Sequence, residues 1–218
     1  MGKVVCMVPI WNGFDRDKAG SQDTKIAGKS LLQRLLEKLA TVRQLDEMVI
    51  YTNETLKPGD VPNARIVNRP AYLDSATVSI TDVMQQFCLD HMDKDKDDIL
   101  VTARAYSPFI SVDTLQRVIE LVGSKKFDSC SLGVVVHDPI WINGNPIGHD
   151  PKMIGFEAGS EVVHENTSFY ANVVTTFLED LKRVSDKHQF VKINSLESLS
   201  FNDHPKIIQF LLDCGFTE

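Results

Sequence analysis

No stretch of this chain approaches the roughly 20 consecutive apolar residues that a membrane-crossing helix requires, so no helical span is expected. Cysteine is scarce and scattered: Cys6, Cys88, Cys130 and Cys214 form no Cys-x-x-Cys pair. That spacing argues against a structural zinc site and a disulfide framework, and leaves cysteine the role of a small buried residue. Positive charge is in deficit, with a net charge of −7 and a pI of about 5.4. Such a balance argues against a general affinity for nucleic acid or an anionic membrane, while leaving room for a local basic pocket. The amino end has no signal-peptide pattern: only Lys3 precedes a seven-residue apolar run, and Trp11-Asn12-Gly13 is a poor cleavage site. A cytoplasmic location is expected on these grounds. Internal repeats and low-complexity tracts are absent. So are G-x-G-x-x-G and G-x-x-x-x-G-K-S/T, the fingerprints of two common phosphate loops.

The 218 residues, 43% of them hydrophobic, suit one domain. Short apolar runs alternate with helical periods. Val4 to Ile10, Met48 to Tyr51, Ala64 to Val67, Ile99 to Thr102, Asp128 to Val136 and Phe190 to Ile193 read as strands. Ser30 to Leu39, Val78 to His91, Val112 to Val122, Phe169 to Val184 and Pro205 to Cys214 carry apolar residues at helical spacing. Ser30 suits an N-cap and Pro205 a first helical turn. The segment 138–160, with its prolines and glycines, reads as a hairpin or excursion. The alternation implies an α/β architecture, a mostly parallel sheet with helices on both faces. Ligands in such folds sit beyond the carboxyl ends of the strands. That rule selects the polar segments 11–29, 52–54, 68–79, 102–111 and 194–204.

The first of these segments is the most suggestive. It holds Gly13, Gly20 and Ser21 with Arg16, Lys18 and Lys25, shows no helical period, and leads into a helix at Ser30. A strand, a glycine-bearing basic loop and a helix together place backbone N–H groups and cations around a phosphate. Pro9, Asn12, Gly13 and Lys25 are candidate nucleotide contacts on this reading, with an ordinary connecting loop as the alternative.

Several short motifs, in order, resemble the CMP–sugar-acid synthetases. They are Val8-Pro9 with the loop ending Ala27-Gly28-Lys29-Ser30-Leu31, then Val49-Ile50-Tyr51-Thr52-Asn53, and Asn68-Arg69-Pro70-Ala71-Tyr72-Leu73. Tyr106-Ser107-Pro108-Phe109 and Glu197-Ser198-Leu199-Ser200-Phe201-Asn202 complete the set. This cytidylyltransferase family activates sialic acid, related nonulosonic acids and 3-deoxy-manno-octulosonate. The resemblance implies a Rossmann-like nucleotidyltransferase fold. It also implies transfer of CMP from CTP to a sugar acid, with release of pyrophosphate, in cell-surface glycan synthesis. Magnesium (Mg2+) would neutralise the phosphates, and loop cations would hold them. A homodimer is implied as well, formed through the excursion, where Trp141, Ile142, Ile147 and Ile154 offer apolar surface.

Carried over residue by residue, the resemblance makes Arg16 and Lys18 the catalytic cations, with solvated loop charges as the alternative. Here Trp11-Asn12-Gly13-Phe14-Asp15-Arg16 stands in place of the family's Arg and Gly-Gly-Ser-Lys, so their register is displaced. Arg69 matches an arginine that helps recognise cytosine; the alternative is a loop arginine paired to a carboxylate. Ser79 falls near a hydroxyl that meets the nucleotide, and a helix cap is its alternative. Arg104 stands where a polar residue contacts the nucleotide, suited to a phosphate, an acceptor carboxylate or a salt bridge at the sheet edge. Ser107 matches the serine of the family's Thr-Ser-Pro motif, with turn capping as its structural role. The family's Glu-Ser-x-Asp-Ile-Asp supplies two aspartates for magnesium, but Ser200 and Asn202 occupy those positions here. Asp203 with Asn202 is the remaining candidate pair, poor in the anionic oxygen that a hard cation prefers. This departure keeps a second expectation open, a catalytically degenerate relative that binds a nucleotide or partner without turnover. A different nucleotidyl- or glycosyltransferase on a similar sheet is the third.

Overall fold

The computed structural model describes residues 2–10, 25–56, 63–75, 77–94, 96–136, 138–147, 150, 152 and 161–216. The expected turn at Pro58-Gly59-Asp60 and most of the first loop lie outside the described residues.

Six residues, Val4–Pro9, form strand β1, and all are buried. Successive side chains of a strand point to opposite faces. Val4, Cys6 and Val8 accordingly join one core, while Val5 and Met7 join another. A run apolar on both faces belongs in a sheet covered on both sides, and β1 lies between two parallel partners, β4 (Glu47–Thr52) and β6 (Ile99–Ala103). β5 (Arg65–Asn68) extends the sheet in parallel beyond β4. On the other side β10 (Val162–Val173) pairs antiparallel with β6 and with β7 (Ser129–Val136). β11 (His188–Lys192) closes that edge, parallel to β7. The seven-stranded order is β11-β7-β10-β6-β1-β4-β5, and β10 alone runs against the rest.

Two small hairpins stand outside this sheet. β2 (Lys25–Ile26) meets β3 (Lys29–Ser30), and β8 (Ile140–Ile142) meets β9 (Asn145–Ile147). Their turns, Ala27-Gly28 and Asn143-Gly144, have positive φ at both positions, the two-residue geometry that matches strand twist. The second hairpin is the described part of the expected excursion, with Trp141 and Ile142 exposed.

Helices α1 (Leu31–Leu39), α3 (Val112–Gly123) and α5 (Pro205–Asp213) cover one face of the sheet. Helices α2 (Ile80–His91) and α4 (Val174–Asp180) cover the other. A serine opens each of the first three in the chain: Ser30, Ser79 and Ser111 accept from Gln33, Asp82 and Thr114 N–H groups. The Ser30 and Ser79 caps are reciprocal boxes, closed by the Gln33 and Asp82 side chains. Among the described residues, no helix is long and apolar enough to cross a membrane.

One expected element is corrected. Phe169 to Val184 is not a helix: β10 continues to Val173, and only Val174–Asp180 is helical. Phe169, Val173 and Phe177 recur at helical spacing and disguise the strand. Burial reveals it, because Phe169 enters one core while its neighbour Tyr170 enters the other. Adjacent residues separate in this way in a strand, not along one face of a helix.

Candidate functional site

The sheet brings the carboxyl ends of β1, β4, β5, β6, β7 and β11 to one edge. Pro9 closes β1 there beside Tyr51, and the Ile10 N–H continues the pairing to the Tyr51 carbonyl at 3.2 Å. Asn12, Gly13, Arg16 and Lys18 lie outside the described residues. Lys25 is exposed on β2, opposite Ser30.

At the end of β5, the Arg69 backbone N–H bonds the Thr52 carbonyl at 3.1 Å. Its guanidinium is buried and forms an ion pair with Asp74 in the single turn of 3-10 helix that follows, Ala71–Asp74. Asn53 also donates to Asp74. A buried cation has to be paired, so the Arg69 side chain is held against the ends of β4 and β5. Ser79 is the N-cap of α2, and its hydroxyl also donates to Asp82 at 2.8 Å.

Past β6, Arg104 lies over the Tyr106 ring, its guanidinium carbon 4.9 Å from the ring centroid, and donates weakly to the Thr167 hydroxyl at 3.5 Å. Its backbone N–H bonds the Ser168 carbonyl at 2.7 Å. Ser107 is buried, hydroxyl to hydroxyl with Ser168. These contacts depend on an irregularity in β10. Its register against β7 shifts between Asn166 and Tyr170. Such bulges re-aim side chains, and the Asn166 side chain accepts the Ser168 N–H at 3.0 Å within this one.

Beside the bulge opens a cleft of about 450 Å³. β7 contributes Val134 and Val136, and β10 contributes His164, Asn166 and Thr167. The opposite wall is the segment after β11, with Ser198, Ser200, Asp203 and His204. The Phe201 N–H bonds the Tyr106 carbonyl at 2.7 Å, and the Asn166 side chain donates to the Ser198 carbonyl at 3.2 Å. The Asp203 and His204 N–H groups both close on the Ser200 carbonyl, at 3.0 and 2.8 Å. The lining is rich in hydroxyl, amide and carboxylate groups, as binding of a hydroxylated molecule requires.

The donors near Asp203 do not compose a resident magnesium site. Ser200 and Asn202 are neutral, Asp203 is exposed, and no three acidic, histidine or cysteine side chains gather for a metal among the described residues. Magnesium is commonly held by one or two carboxylates together with substrate phosphates, so an ion here would depend on the nucleotide for its other ligands.

Sequence reasoning assigned no role to Asp74, Asn166, Thr167, Ser168 or Glu197. Their partners across the fold lie five to 86 positions away, beyond the reach of a local pattern. The same holds for a polar cluster of β7, β10 and β11, whose Glu165 also lines the cleft. There Arg183 grips Glu165 through two hydrogen bonds and covers the Tyr170 ring, while His188 lies between Ser129 and Ser131. Burial pushes the Tyr170 hydroxyl pKa up to about 12.

The fold is the α/β nucleotidyltransferase fold, a mostly parallel sheet between helical layers. The solved 4-diphosphocytidyl-2C-methyl-D-erythritol synthase superimposes with a TM-score of 0.67 at 14% identity, covering 98% of this chain and 100% of that one. The 2-C-methyl-D-erythritol 4-phosphate cytidylyltransferase of Francisella tularensis gives 0.63 at 14% identity, over 96% of this chain and 99% of the other. CMP:2-keto-3-deoxy-manno-octonic acid synthetase, solved with CTP, gives 0.59 at 13% identity, over 99% and 87%. At such identities the likeness is one of fold. No protein-family model and no curated protein matches the chain in sequence.

Proposed function

We propose that this chain is a cytidylyltransferase that transfers CMP from CTP to a sugar acid. An acceptor hydroxyl oxygen attacks the α-phosphorus, the bond to the bridging oxygen breaks, pyrophosphate leaves, and the hydroxyl proton passes to a base. The observation that carries this reading is the full-length fold shared with solved enzymes whose names specify cytidyl chemistry. The edge of the sheet supports it. On this reading Arg69, paired with Asp74 at the ends of β4 and β5, reads the base, and Arg104, past β6, lies on the side of the hydroxyl-rich cleft. A guanidinium there stabilises the charge that develops on transferred phosphate. The cleft beyond it is the acceptor side.

Magnesium enters on this reading as part of the nucleotide substrate, with Asp203 and Asn202 nearby rather than as a cage. A homodimer through the β8–β9 hairpin and a cytoplasmic location belong to the same proposal.

Calorimetry with CTP, ATP, GTP and UTP, with and without magnesium, tests the first half. Pyrophosphate release with CTP and a panel of sugar acids tests the second. CTP preference with release supports the enzyme. CTP binding without release from any acceptor favours the degenerate relative, for which the neutral Ser200 and Asn202 speak. Binding of no nucleotide ends the proposal.

A further inference from the structure

The carboxylate of Glu197 lies outside the cleft and is buried, and it takes hydrogen bonds from the start of α3 and from its own segment. One oxygen accepts the Ser111 N–H at 3.0 Å, the Ser111 hydroxyl at 2.8 Å and the Thr114 hydroxyl at 2.7 Å. The other accepts the Asn194 side-chain amide at 3.2 Å. Asn194 in turn accepts the N–H groups of Leu196 and Glu197.

This carboxylate is not the cap that α3 needs. Ser111 already fills that role, accepting the Thr114 N–H at 3.2 Å. What Glu197 adds is attachment of the segment after β11 to the start of α3, across 86 positions of sequence. The same segment carries Ser198, Ser200 and Asp203 into the cleft. Its later half has tethers of its own, Phe201 to Tyr106 and Ser198 to Asn166. Leu196, Leu199 and Phe201 also pack against the core on the α3 side. These attachments keep the segment on the fold when the clamp alone is removed, so that its loss can be read at the wall rather than as unfolding.

We propose that Glu197 is the positioning residue of the acceptor wall: clamped to Ser111 and Thr114 of the β6–α3 junction, it sets where Ser198, Ser200 and Asp203 stand in the cleft. The role in turnover rests on the cytidylyltransferase reading; the clamp itself does not. Burial acts to raise the Glu197 carboxyl pKa, and the hydrogen bonds from Thr114 and Ser111 outweigh it, keeping the group ionised. An ionised acceptor with several donors is the strong kind of hydrogen-bonded anchor.

The test compares wild type with Glu197→Gln and Thr114→Val, the second of which lies on α3, outside the segment itself and outside the cleft lining. In both variants, backbone amides of 195–200 should exchange hydrogen faster, with exchange in β1, β4 and β6 unchanged. Acceptor KM should rise about tenfold in Glu197→Gln, roughly the value of one hydrogen bond to a charged group. CTP affinity and kcat should hold. Thr114→Val should shift KM the same way by less, and the double variant should add little. Unchanged exchange in 195–200, or a lowered melting temperature with acceptor KM unmoved, overturns the proposal. If wild type turns over no acceptor, the functional reading fails separately. Exchange then decides alone: faster exchange in 195–200 of both variants upholds the clamp, and unchanged exchange rejects it.

Discussion

The guanidinium of Arg69 and the carboxylate of Asp74 form an ion pair in which the cation is 2% exposed and the anion 33%. The arginine is buried, and the aspartate lies at the solvent boundary. Removing the carboxylate leaves the cation with less to offset its lost hydration. Asp74→Ala should therefore cost about 2 kcal/mol of stability, below the full penalty of a wholly buried pair because Asp74 is partly solvated. It should also weaken CTP binding more than ATP binding. Denaturant midpoints and calorimetry measure both, and a neutral Asp74→Ala would remove the orienting role.

Among the described residues, Arg104 is held by stacking and one long hydrogen bond rather than by a carboxylate. Arg104→Ala should leave the melting temperature within a degree or two, since exposed contacts of this kind contribute little. Nucleotide or acceptor affinity should fall about tenfold, with Arg104→Lys in between because lysine lacks the planar fork. Isothermal titration at two salt concentrations separates charge from shape.

Gly133 fits where no other residue does. A Cβ there would lie 2.4 Å from Val163 Cγ1 and 3.1 Å from the Phe190 ring, between β10 and β11. Gly133→Ala should destabilise by about 1–3 kcal/mol through overpacking. Val163→Ala in the same chain should recover part of that loss, read from denaturant midpoints.

Acid should loosen the β7–β10–β11 end of the sheet in two stages. Burial holds the His188 pKa below the ordinary imidazole value, against the pull of Glu165. The unfolded chain then takes up the proton first, so stability falls as pH drops below about 6.5 towards the folded pKa. For Glu165, burial acts upward, but the Arg183 hydrogen bonds and charge prevail and depress its pKa. A depressed carboxylate stabilises fully above about pH 4.3, and that share is lost as pH falls through its folded pKa. His188→Gln should flatten the melting curve against pH between about 7 and 5, and Glu165→Gln the part below about 4. Profiles parallel to wild type in both ranges would show that neither group carries the acid response.

Most of the fold was legible in the chain because its signals are local. The apolar runs of β1, β4 and β6, the leucines of α1 and the serines that open α1 and α2 act within a few residues, and the structure places them as their spacing implies. The excursion showed itself through proline and glycine, and β8 and β9 form its described hairpin. The polar loops at the strand ends followed from the same alternation.

The sequence by itself thus determined the order of strands and helices apart from β10, the two-faced burial of the central strands and the edge of the sheet to which the polar loops belong. Tertiary structure alone decided the direction of β10, whose mixture of polar and helically spaced apolar residues was settled by Phe169 and Tyr170 entering opposite cores. It decided the bulge that brings Ser168 to Arg104 and Ser107, the pairing of Arg69 with Asp74, and the attachment of Glu197 to α3. Periodicity records which face of an element is buried, because that depends on near neighbours. Which distant polar group meets a given side chain depends on strands joined far apart in the chain, and only the closed sheet fixes that distance.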